Sequence, residues 1–359
     1  MASPSRAHGS DRELTEEEVQ EPGGQGGSMD LEELRERLTR FMRAHLDDPG
    51  ATIASVEKGR GHAGSSYFFE TVSDGLRASY FLRLPPPGVK YEGNTGLVRQ
   101  VAAMKALKDT DIPHAPILWW GMDEQWFGCP YFVQPRLKGE TLKDEYLALF
   151  SAVQLRDMAR QAMVALAGIH RIDPAKAPFL GEYRGQAFDV TRWDRLYERA
   201  AEPELLALQA RVRELLLERI PHESRIAICH GDFQWANLLY SPAGKLSAVI
   251  GWEHCGIGPV LNDVGRICVL SDPSAWTHRQ QHASRIPHGD EIEEWYREAS
   301  GDATGDIRWF KALAAYQLAS AGGFNLMPHR RGEHDDPRRE VIEHSMQSNL
   351  EYALRMLTA

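Results

Sequence analysis

The sequence predicts an α+β chain in two lobes, a β-rich one up to about Leu137 and a larger, mainly helical one after it. Three observations carry that expectation. Before residue 137, short runs rich in Val, Ile, Tyr and Phe alternate with Gly, Pro and Asp turn signals. From Leu142 onward, apolar residues recur at helical spacing over much longer stretches. One strand-turn-strand island, at Ile226–Tyr240 and Leu246–Ile250, interrupts the helical part and contains the densest run of chemistry-bearing residues.

The elements follow in order. Residues 1–28 are polar and rich in Gly, Glu and Ser, the composition of a disordered tail. Leu31, Leu34, Leu38, Phe41 and Met42 mark an amphipathic helix over 31–45. Thr52–Lys58, Ser65–Val72 and Tyr80–Leu84 read as strands, the last two separated by the turn signal Ser73-Asp74-Gly75 and the third stopped by Pro85-Pro86-Pro87-Gly88. Leu97–Leu107 has helical period, and Ile117–Trp120 and Tyr131–Pro135 read as two further strands. The expected division is therefore a tail over 1–28, a β-rich lobe over 29–137 and a helical lobe over 138–359. In the latter, Leu155–His170, Leu205–Arg219, Ile292–Glu298, Trp309–Ala321 and Val341–Leu357 read as helices, and the charged stretch His329–Glu340 as a solvated loop.

The chain has 359 residues, enough for two domains at roughly 150 each. With 42% hydrophobic and 26% charged residues it can bury a sizeable core, which excludes wholesale disorder. Its net charge of −10 argues against non-specific nucleic-acid binding and favours neutral or cationic partners. Cys129, Cys229, Cys255 and Cys268 form no C-x-x-C pair, so a disulfide framework or zinc site is not expected and a reducing cytoplasm is the natural compartment. No apolar run approaches the roughly 20 residues that span a bilayer, so no membrane partner is expected.

Two motifs carry chemistry. Gly59-x-Gly61-x-x-Gly64 is followed by a strand (Ser66, Tyr67, Phe68, Phe69), which rules against a dinucleotide-binding turn, where a helix must follow. A glycine-rich turn between antiparallel strands lets backbone N–H groups approach nucleotide phosphates; a plain turn is the other reading. Arg83 on the next strand is a fixed cation that could reach the same phosphates. The stronger signal is His230-Gly231-Asp232-Phe233-Gln234-Trp235-Ala236-Asn237. An Asp and an Asn five apart, on a loop entering a strand, can share one centre: the Asp accepts a hydrogen bond from a substrate hydroxyl while the Asn oxygen holds magnesium.

The loop H-G-D-x-x-x-x-N, a short hairpin, then Ile250-Gly251-Trp252-Glu253 and Gly258-Pro259-x-x-x-Asp263 resemble the aminoglycoside phosphotransferase family, which is also similar to choline kinases. The resemblance covers roughly Val56 to Asp263. It implies a protein-kinase-like fold with ATP between a small β-rich lobe and a helical one. It implies Asp232 as catalytic base, Asn237 as magnesium ligand, and Gly61, His62, Ala63, Gly64 and Ser65 over the phosphates. It sets Gln134, Pro135 and Leu137 at the hinge near the adenine. His230 and Asp263 then have structural jobs, Asp263 fixing the catalytic loop through hydrogen bonds to its backbone or to His230.

Three positions depart from the family pattern. Arg83 stands where kinases usually have Lys, and keeps the charge. Its helix partner, usually Glu, reads as Gln100, which implies a hydrogen bond in place of an ion pair. Gly251 stands where the family has the Asp that is the principal magnesium ligand, and a glycine supplies no carboxylate; Glu253, two residues on, is a candidate substitute. Together these readings imply ATP-dependent O-phosphorylation of a small alcohol, with ATP and magnesium as cofactors, and with aminoglycosides, which are polycations, among the candidate acceptors. The alternative is a nucleotide-binding pseudokinase without turnover. A metal hydrolase centred on His230-Gly231-Asp232 ranks behind both, because no second His/Asp cluster sits at ligand spacing.

Overall fold

Leu34, Leu38, Phe41 and Met42 share one side of the helix Leu31–Leu46 (α1), and all four are buried. The Asp30 carboxylate accepts the N–H groups of Glu32 and Glu33 at 2.8 Å and so caps its start. This geometry comes from a computed structural model, which describes residues 29–59, 65–85, 96–142, 144–198, 203–222, 224–277, 284–301, 305–330 and 340–359. The expected tail over 1–28 and the turn residues Gly61, His62, Ala63 and Gly64 lie outside the described residues.

The chain forms two compact units. The first takes the chain as far as Lys138, together with Ala175–Leu180 and Ile250–Cys255. The second is made of Gly139–Pro174, Gly181–Val249 and Gly256–Ala359. Two short later segments therefore join the first unit, which a division of the sequence at one point does not anticipate.

In the first unit, Thr52–Lys58 (β1), Ser65–Ser73 (β2) and Leu76–Leu84 (β3) are followed by the helix Gly96–Ala106 (α2), then Trp119–Gly121 (β4) and Tyr131–Pro135 (β5). They form one antiparallel sheet in the order β1-β2-β3-β5-β4. Asp74 and Gly75 both have positive φ (50° and 75°), the two-residue hairpin turn that the Asp-Gly pair predicts. One sheet face packs on α1: Ile53, Phe69, Leu82, Trp119 and Val133 are buried against Phe41 and its helix neighbours. α2 packs on two segments that return from later in the chain, the turns Trp252–His254 and Pro178–Leu180.

The second unit begins with Glu140–Thr141 (β6) and the helix Ala152–His170 (α3), whose start carries a reciprocal Ser151–Gln154 capping box. Pro203–Glu218 (α4), Ile226–Cys229 (β7), Leu238–Tyr240 (β8), Leu246–Val249 (β9) and Gly256–Pro259 (β10) follow. Then come Val260–Leu270 (α5), Gly289–Ser300 (α6), Ile307–Arg330 (α7) and Glu340–Thr358 (α8). β6, β8 and β9 pair antiparallel, as do β7 and β10. Helix α5 packs on β7, α6 packs on α3 and α5, and α7 packs against both α5 and α8. Among the described residues no helix is long and apolar enough to cross a membrane, and all four cysteines are buried free thiols.

Two differences from the expected elements matter. The stretch expected as a loop over 329–340 is helical at both ends, since α7 runs to Arg330 and α8 starts at Glu340; 331–339 lie outside the described residues. Helix α5 is a second surprise, because Asn262, Gly265 and four β-branched residues weaken its propensity. Tertiary packing overrides that. A Cβ at Gly265 would come within 2.7 Å of the Phe310 backbone carbon and oxygen, so glycine is what lets α5 and α7 approach. Gly265→Ala is therefore expected to lower stability by about 1–3 kcal/mol in urea unfolding, despite alanine's better helix propensity.

Candidate active site

The polar loop between β7 and β8 is shaped by one buried carboxylate on the first turn of α5. Asp263 Oδ2 accepts the His230 N–H at 2.7 Å and Oδ1 accepts the Gly231 N–H at 2.8 Å. Gly231 has φ 77°, a conformation glycine adopts without a Cβ penalty, and this turns the chain so that both N–H groups face the same carboxylate. Asp263 Oδ2 also lies 3.2 Å from His170 Nε2, and His170 Nδ1 lies 2.7 Å from the Tyr296 hydroxyl. Burial pushes the Asp263 carboxyl up, but hydrogen bonding and charge from His170, with His230 adding to them, hold it below the ordinary carboxylate value.

Asp232 follows that turn. Its N–H donates to His230 Nδ1 at 3.2 Å, which leaves the proton of a neutral His230 on Nε2. Asp232 Oδ2 accepts Gln234 Nε2 at 2.8 Å and Asn237 Nδ2 at 2.9 Å, and Asn237 Nδ2 also donates to the Asp232 carbonyl at 2.8 Å. The five-residue spacing thus folds the two motif residues onto each other through the 3₁₀ turn Trp235–Asn237. Asp232 Oδ1 lies 2.5 Å from Arg266 Nη2. This contact is an ion pair and not an aligned hydrogen bond, since among the described residues buried Oδ1 accepts none and buried Arg266 Nε donates none. Arg266 and Gln234 were not picked out from the sequence. The available signal for Arg266 was its place three residues after Asp263, on the same face of a helix.

In the first unit, Arg83 lies on β3 between Ser66 and Phe132 of the neighbouring strands. Its partner among the described residues is Glu253, with Nη2 to Oε1 at 2.9 Å, and not Gln100 as expected. Gln100 donates its amide to the Gly96 carbonyl at 3.0 Å instead. The physical reason is charge: Arg83 is buried, desolvation lowers its pKa while Glu253 raises it, and a neutral amide cannot balance a buried guanidinium. In the same pair the Glu253 carboxylate is engaged by Arg83. Gly251, at φ 78° and ψ 47°, precedes the turn that carries Glu253.

Gln134 is buried, and its side-chain amide donates to the Ala115 carbonyl at 2.7 Å. Gln134 pairs with Phe81 in the β3–β5 ladder, Pro135 is the last strand residue, and Leu137 follows, half-buried. Ser65 opens β2 opposite Leu84.

A magnesium ion takes six oxygens in near-octahedral geometry, commonly with one or two carboxylates. Among the residues expected to hold it, Asn237 offers one neutral amide oxygen, Gly251 offers none, and Glu253 is paired with Arg83. These residues do not make a magnesium site by themselves. His170, Cys229 and Asp263 come within 4.8 Å of one another, yet this buried cluster is already hydrogen-bonded. Burial pushes the Cys229 thiol well up, and it donates to the Gly258 and Pro259 carbonyls at 3.3 and 3.4 Å. That is the chemistry of a packed core and not of a metal thiolate.

The model of the phosphotransferase enzyme family matches residues 57–299, more than half of the chain. Acyl-CoA dehydrogenase family member 11 of Gallus gallus is 23% identical over 235 residues, 64% of this chain and 30% of that protein. Acyl-CoA dehydrogenase family member 10 of Mus musculus is 26% identical over 276 residues, 74% of this chain and 25% of that protein. The chain thus spans under a third of the length of these curated relatives. Among solved structures, a "putative aminoglycoside phosphotransferase" from Ralstonia eutropha superposes with TM-score 0.72 at 22% identity, over 89% of this chain and 98% of that one. A thermostable mutant of aminoglycoside phosphotransferase APH(4)-Ia, in ternary complex with ADP and hygromycin B, gives 0.58 at 15%, over 90% and 99%. APH(2")-IIIa with GDP and kanamycin gives 0.59 at 12%, over 89% and 98%. At these identities the likeness shows the fold, which is kinase-like, with a five-stranded sheet in one unit and a mainly helical second unit. On the match of its residues 57–299, the chain belongs to the phosphotransferase enzyme family.

Proposed function

We propose that this phosphotransferase moves the γ-phosphoryl group of ATP to a hydroxyl of a small molecule, with Asp232 as the base. The observation that carries this reading is the Asp232 carboxylate, held by Gln234 and Asn237 on a loop whose backbone Asp263 pins from a buried position. The acceptor O–H bond breaks, its proton passes to Asp232, and its oxygen forms a bond to the γ-phosphorus. The bond from that phosphorus to the β–γ bridging oxygen breaks, and ADP leaves with the electron pair. Positioning and charge are the main contributions a protein makes to such a transfer.

The other assignments extend this reading. Residues 29–137 would act as the nucleotide lobe and 138–359 as the lobe of the catalytic loop. Arg83, Ser65 and the turn Gly61-His62-Ala63-Gly64 would grip phosphates, and the chain around Gln134, Pro135 and Leu137 would meet the adenine. ADP in the APH(4)-Ia complex supports an adenine nucleotide, while GDP in the APH(2")-IIIa complex makes GTP the alternative to test. Magnesium would enter on the nucleotide phosphates, with Asn237 as the ligand available from this chain. Hygromycin B and kanamycin in the neighbours, and the net charge of −10, favour a cationic aminoglycoside acceptor. A reducing cytoplasm fits four free thiols.

One observation favours a second reading, a nucleotide-binding pseudokinase: Gly251 brings no carboxylate, and Glu253 is already paired. ADP production with ATP and magnesium separates the two. The chain and its Gly251→Asp variant would be run against aminoglycosides, other small alcohols and hydroxyacyl-CoAs, the last because of the names of the curated relatives. Asp is among the residues that tolerate the left-handed conformation of position 251, at about 1–2 kcal/mol. Turnover by the chain itself is the expected result, with a steeper magnesium dependence in the variant. Turnover by the variant alone would mean a kinase disabled at one metal ligand. Nucleotide affinity without turnover in either would leave the pseudokinase.

A further inference from the structure

We infer that Arg266 is a further catalytic residue, a fixed cation that turns from Asp232 to the transferred phosphoryl group and supplies charge that the poor magnesium site does not. The inference rests on the phosphotransferase reading and starts from unspent donors. Arg266 is largely buried on α5, its side chain 18% exposed, and a guanidinium has five N–H donors. Its close contact is with one anionic oxygen, Asp232 Oδ1, at 2.5 Å, and among the described residues its buried Nε has no partner. A buried donor without a partner is unfavourable, and at a functional site it points to a ligand that is bound part of the time.

Asp232 shows the same incompleteness from the other side. Gln234 and Asn237 both donate to Oδ2, so Oδ1 is the oxygen left for an acceptor hydroxyl, and Oδ1 is where Arg266 lies. A hydroxyl donating to Oδ1 sits about 2.7 Å from it. The phosphorus it attacks lies roughly 3–3.5 Å farther on. The oxygens of that phosphoryl group are then within reach of a guanidinium that already touches Oδ1. When a γ-phosphate arrives, Arg266 turns from Oδ1 to that phosphoryl group, an anion its planar fork of donors matches well, and Oδ1 is left for the hydroxyl.

The charge balance of the chain makes such a cation useful. The carboxylate the family places at position 251 is absent, and Glu253 is engaged by Arg83. α5 would then act on the reaction twice from one face, Asp263 fixing the loop backbone and Arg266 serving the base and the phosphoryl group.

The test is nucleotide affinity without metal. ADP and AMP-PNP are titrated calorimetrically in EDTA against the full chain, Arg266→Met and Arg266→Lys. The expected result is AMP-PNP binding about tenfold tighter than ADP to the full chain, a charge-assisted contact to the third phosphate. The preference should collapse to about one in Arg266→Met, with ADP affinity little changed, and be partly restored in Arg266→Lys. An undiminished preference in Arg266→Met overturns the inference, as does a full chain with no preference. If none of the proteins binds either nucleotide in EDTA, the same titrations with magnesium read the same preference, and no binding there either sinks the phosphotransferase reading and this inference with it. Unfolding midpoints of the variants, compared with the full chain, show that a lost preference is not a lost fold.

Discussion

Asp232→Asn is expected to lower ATP-dependent turnover by about 10²–10⁴-fold, the range for loss of a positioned general base, while urea unfolding shows a loss of about 1–3 kcal/mol from the Arg266 guanidinium left without its anion. The separation of the two effects follows from the geometry. An amide oxygen at position 232 still accepts Gln234 and Asn237, so the hydrogen bonds that shape the 3₁₀ turn survive. What the amide lacks is the capacity to take a proton, and its NH₂ faces the Arg266 guanidinium where a carboxylate oxygen did. A variant that keeps turnover would remove Asp232 from the base role. A variant that loses turnover only because it no longer folds would make Asp232 a structural residue.

Asp263→Asn is expected to destabilise the chain by about 3–5 kcal/mol, the usual effect of removing one partner from a buried charged network. Asp263 accepts two backbone N–H groups and meets His170 from a fully buried position. An amide there turns one of its two acceptor ends into a donor facing a donor. The pH dependence has a definite sign. The folded-state carboxyl sits below its ordinary value, so its contribution is fully present above the unfolded value of about 4 and is lost as pH falls through the folded-state value. Urea unfolding between pH 3 and 7 should therefore show a shallower acid limb in Asp263→Asn. An unchanged midpoint at pH 7 would mean that the loop does not depend on this carboxylate.

The parts of the chain that were legible as sequence are those in which physics acts locally. Apolar spacing at Leu34, Leu38, Phe41 and Met42, the Asp74-Gly75 turn, and strand runs closed by Gly and Pro each depend on residues a few positions apart. The Asp232–Asn237 spacing belongs with them, because a single turn brings the two side chains together. Helix α5 was not legible, because its stability comes from packing on α7 across Gly265 and not from propensity. The division into units was legible only in outline, because 175–180 and 250–255 join the first unit by contacts and not by position along the chain.

The sequence by itself determined the family motif, the strand-rich first part, the helical second part and the glycine at position 251. Only the tertiary structure decided which charges meet. Arg83 pairs with Glu253, far along the chain, and not with Gln100, and Arg266 reaches Asp232 from a helix that propensity did not announce. The reason is that a hydrogen-bond cap or a turn is settled within one or two turns of backbone. A buried charge is settled by whichever opposite charge the fold brings within a few ångströms, and its desolvation makes that choice decisive.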